Sequence, residues 1–185
     1  MAVKIKGKQW CTIVAPKVFG EKDIGKARTA EPQSLVGKRL ILNAIELMDD
    51  MNKYYVKFKF KIDAVNGTRA STVFDGFECM QDYISRMVLR RIKRIDSVQD
   101  LKTQDNVKLR VKGLTVMSKK VRTNVEAKIR KYVVSIVKEE VENSTLEEFI
   151  SKVMNNEIKN RIIRQGRIIY PVRNFEIRKT EVLKE

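Results

Sequence analysis

Between Arg86 and Arg94 the chain carries five cations, Arg86, Arg90, Arg91, Lys93 and Arg94, with no acid among them. Like charges one helical turn apart repel each other. A face made only for solvent normally intersperses acids to relieve this. The planar guanidinium fork also matches phosphate oxygens two at a time. Phosphate contact is therefore favoured over a solvated face. Arg161, Arg164 and Arg167, each three residues apart, offer the same chemistry, as do Lys4, Lys6 and Lys8 in an acid-free start. The ladder Lys57, Lys59, Lys61 admits two readings of equal weight. It contacts a polyanion, or it guards an exposed strand against edge pairing.

Other chemistries fail on their residues. Gly20-Glu21-Lys22-Asp23-Ile24-Gly25-Lys26-Ala27 has the spacing of a nucleotide-binding P-loop up to its last position. There Ala27 lacks the hydroxyl that binds magnesium. Pro32 and Gly37 then interrupt the helix such a loop needs, so a surface loop is the favoured reading. No two glycines stand three apart, which removes the GXXG clamp. The absence of histidine removes imidazole bases and imidazole metal ligands, and Cys11 and Cys79 cannot make a zinc site alone. The acid pairs Asp49-Asp50 and Glu139-Glu140 point in divergent directions as neighbours. The acidic stretch Glu139 to Glu148 is either a contact for a basic neighbour or a solvated face. Trp10 and Tyr170 are the candidates for base stacking. Aromatics make up only 7% of the chain, so the pattern reads as contact with backbone phosphate and shape, not a single-strand platform. For Trp10 and Tyr83 the favoured role is a core anchor with one hydrogen-bonded polar edge.

Composition sets the frame for these residues. The chain has 185 residues, 39 Lys plus Arg and 23 Asp plus Glu, for a formal net charge of +16. Apolar residues supply 43% and charged residues 34%, a globular composition with a charged surface. Such a charge selects polyanionic partners, nucleic acid first. The start has no apolar signal core, no run is long enough for a membrane helix, and two cysteines make no disulfide framework. A cytoplasmic, reducing setting is expected.

The elements that must position the cations follow from periodicity. Trp10 to Val14 reads as a strand, residues 16–37 as a long ordered loop, and Lys38 to Leu47 as a strand. Val56, Phe58, Phe60 and Ile62 alternate with lysines, a period of two with one buried face. Asn66-Gly67 suggests a turn with two positive φ angles, leading into a strand over Thr68 to Phe74 that ends at Asp75-Gly76. Residues 80–95 switch to helical period, with Arg91 off the polar face. Val98 to Thr103 and Val107 to Val116 form a second hairpin pattern. Thr123 with Glu126, and Ser144 with Glu147, have capping-box spacing before two helical patterns. From Arg161 the chain turns β-like, and Pro171 should sit at an edge or bend.

These residues also resemble a known family. Lys8-Gln9-Trp10, Ala15-Pro16 with Phe19, Ile24-Gly25 and Leu35-Val36-Gly37-Lys38-Arg39 occur in the order of the small-subunit ribosomal protein family called e-S-one, formerly S-three-A-e. Phe74-Asp75-Gly76, Asp82-Tyr83, Arg90-Arg91, Ile95-Asp96, Arg110-Val111-Lys112, Ile129-Arg130-Lys131 and the ending Ile169 to Arg173 with Ile177-Arg178-Lys179 continue it. Ala27 replaces a hydroxyl residue, and Leu89 and Ile92 thin the arginine run. The short length resembles archaeal members. The resemblance implies an α+β fold, an antiparallel, barrel-like β-sheet with about three attached α-helices. Length and charge by themselves read as a basic tail over residues 1–8 and a single α+β RNA-binding domain over 9–185. The resemblance further implies a structural constituent of the small ribosomal subunit, without catalytic residues, cofactor, metal or small-molecule substrate and without a membrane. Its partners would be small-subunit ribosomal RNA and neighbouring proteins of the platform near the messenger exit. The expected RNA contacts are Lys4, Lys6, Lys8, Arg86, Arg90, Arg91, Lys93, Arg94, Arg161, Arg164 and Arg167. The alternative is a metal-dependent nuclease or another non-ribosomal nucleic-acid-binding protein.

Overall fold

The structure is a computed structural model that describes residues 7–48 and 50–183. Lys4, Lys6 and Asp49 lie outside the described residues. The chain divides into two compact units, one ending at Phe77 and the other beginning at Glu78.

The first unit is mostly strand. β1 (Gln9–Val14), β2 (Asp23–Thr29), β3 (Arg39–Asn43), β4 (Val56–Asn66) and β5 (Arg69–Cys79, which ends just beyond the unit) are its strands, with a short helix α1 (Ala44–Met48) after β3. β2 pairs antiparallel with β1, and β1 runs parallel to β5 over Thr12–Val14. β4 pairs with both β3 and β5. The alternation in β4 does what its period requires: Val56, Phe58, Phe60 and Ile62 are buried and the lysines between them are half-exposed. Phe58 and Phe60 meet Phe19, Phe74 and each other, with ring centroids 4.9–6.4 Å apart. A smaller core of Cys11, Ile13, Leu35, Ile62 and Ala70 lies under β1 and β2.

The second unit holds β6 (Arg94–Lys102), β7 (Lys108–Met117) and β8 (Val172–Val182), with α2 (Gln81–Met87), α3 (Thr123–Glu142), α4 (Leu146–Met154) and α5 (Glu157–Gly166). β7 lies between β6 and β8, antiparallel to both. α3 packs over β6, α5 over β8 and α4 beside α5. Ile129, Val133, Ile136, Val137 and Val141 form the buried stripe of α3.

Several expectations are corrected. The protein is α+β, but the sheet is not closed into a barrel. Among the described residues β2, β3 and β6 each pair with one strand only, and β1 against β5 is parallel. Among the described residues five α-helices stand where about three were expected. Residues 16–37 contain β2 because the backbone of residues 23–29 folds back onto β1. The run from Lys38 divides after Asn43 into β3 and α1. In the β4–β5 turn only Gly67 has positive φ, at 60°, and β5 continues through Gly76, φ 142°, to Cys79. Thr123 makes no side-chain cap on α3. The second capping box sits one residue later than its spacing suggested, with Thr145 and Glu148 as partners. Ser144 is buried instead and accepts from Lys152 Nζ at 2.8 Å. The region after Arg161 is helical through Gly166, since Ile158, Ile162 and Gly166, four apart, form one buried face. No helix among the described residues is long and apolar enough to cross a membrane.

Candidate nucleic-acid interface

The cationic helix expected over residues 80–95 is short. α2 stops at Met87, where Val88 leaves helical backbone with ψ 89°. A turn over residues 88–93 follows, with Arg91 in the left-handed region at φ 67°. β6 starts at Arg94 because Ile95 and Ser97 must alternate inward against the second unit's core. That turn explains why Arg91 would not fit a helical face. Arg90 and Arg91 stand exposed at its tip, and Arg86 is exposed in the last turn of α2.

Three other segments reach the same end of the second unit's sheet. Arg94 pairs with Val116, and the Met117 N–H donates to Lys93 O at 2.9 Å. The loop 118–122 therefore leaves β7 beside the turn 88–93. Met117 also pairs with Val172, and the Ser118 hydroxyl donates to Pro171 O at 3.1 Å. This brings up the 167–171 segment that follows α5. Asn174 Nδ2 reaches Met87 Sδ at 2.8 Å and ties the end of α2 to the start of β8.

Lys119, Lys120 and Arg122 in the loop 118–122 are exposed and were missed from sequence. Their signal was present as Lys119-Lys120 followed by Arg122 just before a helical pattern. The loop delivers them to the N-terminus of α3, whose aligned peptide dipoles add positive potential. Arg167 is exposed beyond α5 and Arg164 in its last turn. Ile168 beside them is 88% exposed. Two acids near this end are already neutralised. Arg94 forks onto Asp96 at 2.9–3.1 Å, and Glu126 holds Lys93 and Arg130, each at 3.0 Å. The Lys93 ammonium and then Arg130 hold the Glu126 carboxyl below its ordinary range.

The structure thus sorts the expected contacts. Among the described residues, Arg86, Arg90, Arg91, Arg164, Arg167 and, in the first unit, Lys8 are exposed with no acidic partner. Lys93 and Arg94 are engaged as just described. Arg161 is engaged by Glu139 at 2.8 Å and by Glu140. Burial opposes ionisation of Glu140, but hydrogen bonds from Arg161 and Lys152 outweigh it and keep its carboxyl below the ordinary range. The acidic end of α3 thus meets cations of its own chain.

The remaining candidates resolve simply. Gly20 to Ala27 forms a turn and the start of β2, with no helix after Lys26, so its N–H groups do not converge on an anion. A groove of about 670 Å³ in the first unit is lined by Gln9, Glu31, Gln33, Gly67 and Thr68 among others, and by no lysine or arginine among the described residues. No three acids or cysteines among the described residues are placed to hold a metal ion. Tyr83 is the half-buried anchor its type suggested, donating to Glu176 at 3.0 Å. Trp10 is not, being 60% exposed.

Comparison with known proteins decides the family. The model of the Ribosomal S3Ae family matches residues 2–185. This chain belongs to that family. It is 36% identical to the small ribosomal subunit protein eS1 of Methanopyrus kandleri, over 98% of this chain and 88% of the relative. It is 34% identical to eS1 of Sulfurisphaera tokodaii over 98% and 94%, and 33% identical to eS1 of Methanothermobacter thermautotrophicus over 97% and 92%. These relatives are archaeal and are named as parts of the small ribosomal subunit, a structural and non-enzymatic role.

Proposed function

We propose that this protein binds the RNA of the small ribosomal subunit and helps to build the platform near the messenger exit, in the cytoplasm, beside other platform proteins. The observation that carries the reading is the convergence at one end of the second unit's sheet. The turn 88–93, the loop 118–122 and the 167–171 segment gather Arg90, Arg91, Lys119, Lys120, Arg122 and Arg167 where the neighbouring acids are already paired. Such a cluster neutralises phosphates and releases their counterions. It asks nothing of the RNA sequence, only that its phosphates present the matching spacing. Lys93, Arg94 and Arg161 act differently from the others in this reading. Their pairs to Glu126, Asp96 and the Glu139–Glu140 end of α3 hold the elements that present the free cations.

Sedimentation of native lysate tests the assignment, with this chain followed by mass spectrometry. Co-migration with small subunits at moderate salt is expected. Replacing Arg86, Arg90 and Arg91 by Glu should move the chain to the top of the gradient while its circular dichroism stays unchanged. An unaltered peak would remove this end of the unit from the RNA.

A further inference from the structure

The first unit carries an aromatic residue that its fold leaves in water. Trp10 lies on the outward face of β1, 60% exposed, while Cys11 and Ile13 on the inward face are fully or nearly buried. Directly across the ladder stands Arg28, whose guanidinium lies over the indole ring, 6.0 Å from its centroid. Thr12, two residues on, is opposite Lys26 on one side and Arg69 on the other. Residues opposite each other share a face, so Trp10, Arg28, Lys26 and Arg69 form one outward surface over three strands. Lys8 adjoins it at the start of β1. Among the described residues none of Lys8, Lys26 and Arg69 has an acidic partner. Within β1 and β2 the one acid is Asp23, which pairs with Val14 beyond a register shift.

We infer that this face is a second RNA surface, which stacks an unpaired base on the Trp10–Arg28 pair while Lys26, Arg69 and Lys8 take the flanking phosphates. It goes beyond the arginine cluster of the second unit, which reads phosphate alone. The occupant follows from the chemistry. An exposed indole offers a flat π-face that any base can cover, and the guanidinium packed against it adds cation–π attraction. A duplex keeps its bases stacked inside and has none to offer, so the face selects single-stranded or bulged RNA. A protein partner using Trp10 as an anchor would need acids to meet three cations on three adjacent strands.

Trp10 is the one tryptophan of the chain, so its emission reports this site alone. The full chain is titrated with a ten-nucleotide oligouridine, with a duplex of equal phosphate count and with inorganic polyphosphate. Saturable quenching by oligouridine alone is expected. Variants at position 10 have no indole, so their binding is read from the anisotropy of a dye-labelled oligouridine, where Trp10→Ala should bind about 5- to 150-fold more weakly, the range for loss of one base–aromatic stack. Trp10→Phe should keep most of the affinity, and Arg28→Ala should weaken the quench. The exposure of Trp10 makes misfolding of these variants easy to exclude by thermal melting. Quenching by polyphosphate equal to that by oligouridine would overturn the stacking role. Unchanged emission of the parent, with equal affinity by anisotropy for parent and Trp10→Ala, would overturn the RNA assignment and leave the face to a protein. The Arg86→Glu, Arg90→Glu, Arg91→Glu variant should keep the oligouridine quench, so failure of one surface is distinguishable from failure of the other.

Discussion

Replacing Arg86, Arg90 and Arg91 together by Gln separates free cations from paired ones. All three are exposed and have no acidic partner among the described residues, so each is available to a phosphate. A contact with one phosphate contributes about 0.7–0.9 to the slope of log K against log salt. Loss of three should therefore lower that slope by about 2 to 3, with the melting temperature unchanged. Arg161→Gln is the counterpart. Its guanidinium is held by Glu139 and Glu140, and the Glu140 side chain is only 15% exposed. The variant leaves Glu140 with Lys152 as its remaining cation. After allowance for screening, that should cost about 1–2 kcal/mol of stability. At this chain length each kcal/mol corresponds to about 2–4 °C in Tm. The salt slope should stay within one contact of the parent. The assay is filter binding of small-subunit RNA between low and moderate salt, with calorimetry alongside. Equal slope changes in both variants would refute the reasoning, because internal pairing would then not decide which arginines meet RNA.

Two further outcomes follow from the second unit's packing. A Cβ added at Gly113 would lie 2.7 Å from Ser97 Oγ and 3.2 Å from the Phe175 ring, so Gly113→Ala should destabilise by about 1–3 kcal/mol in urea unfolding. Adding Ser97→Ala removes the closest of these atoms and should restore part of the loss; no recovery would mean that Phe175 cannot yield. Glu181 is held by Lys179 and then Lys112, which lower its pKa from 4.5 to about 2. A carboxyl lowered on folding stabilises the protein above its unfolded pKa and loses that contribution as pH falls through the folded value. Stability of the parent relative to Glu181→Gln should therefore decline between pH 4.5 and about 2 and be level above that window, as read from denaturation midpoints.

Much of the local structure is legible in the sequence because it depends on neighbours in the chain. The alternation from Val56 to Ile62 dictates β4, and the stripe from Ile129 to Val141 dictates α3, since strand and helix periods are backbone properties. The β6–β7 hairpin follows from its alternation and from Asn106 taking a left-handed φ of 59°. The charge count alone directs the protein toward a polyanion. The arginine-rich stretch itself was visible, although its shape was not. A helical period at Ile84 and Val88 says nothing about Ile95, which the second unit's core claims for a strand.

What the tertiary structure decided is which side chains are left over. Arg161 and Arg164 are the same residue type three positions apart, yet one is held by acids 21 and 22 residues away and the other faces water. Lys93 is taken by Glu126, 33 positions further along, while Arg91 is not. Trp10 belongs by type in a core, but only the pairing of β1 with β2 and β5 reveals that its alternation points outward. Lys119, Lys120 and Arg122 join the cluster only because Met117 and Ser118 bond to Lys93 and Pro171. Periodicity acts along the chain and is read from it. Charge neutralisation and exposure act through space, so they belong to the fold.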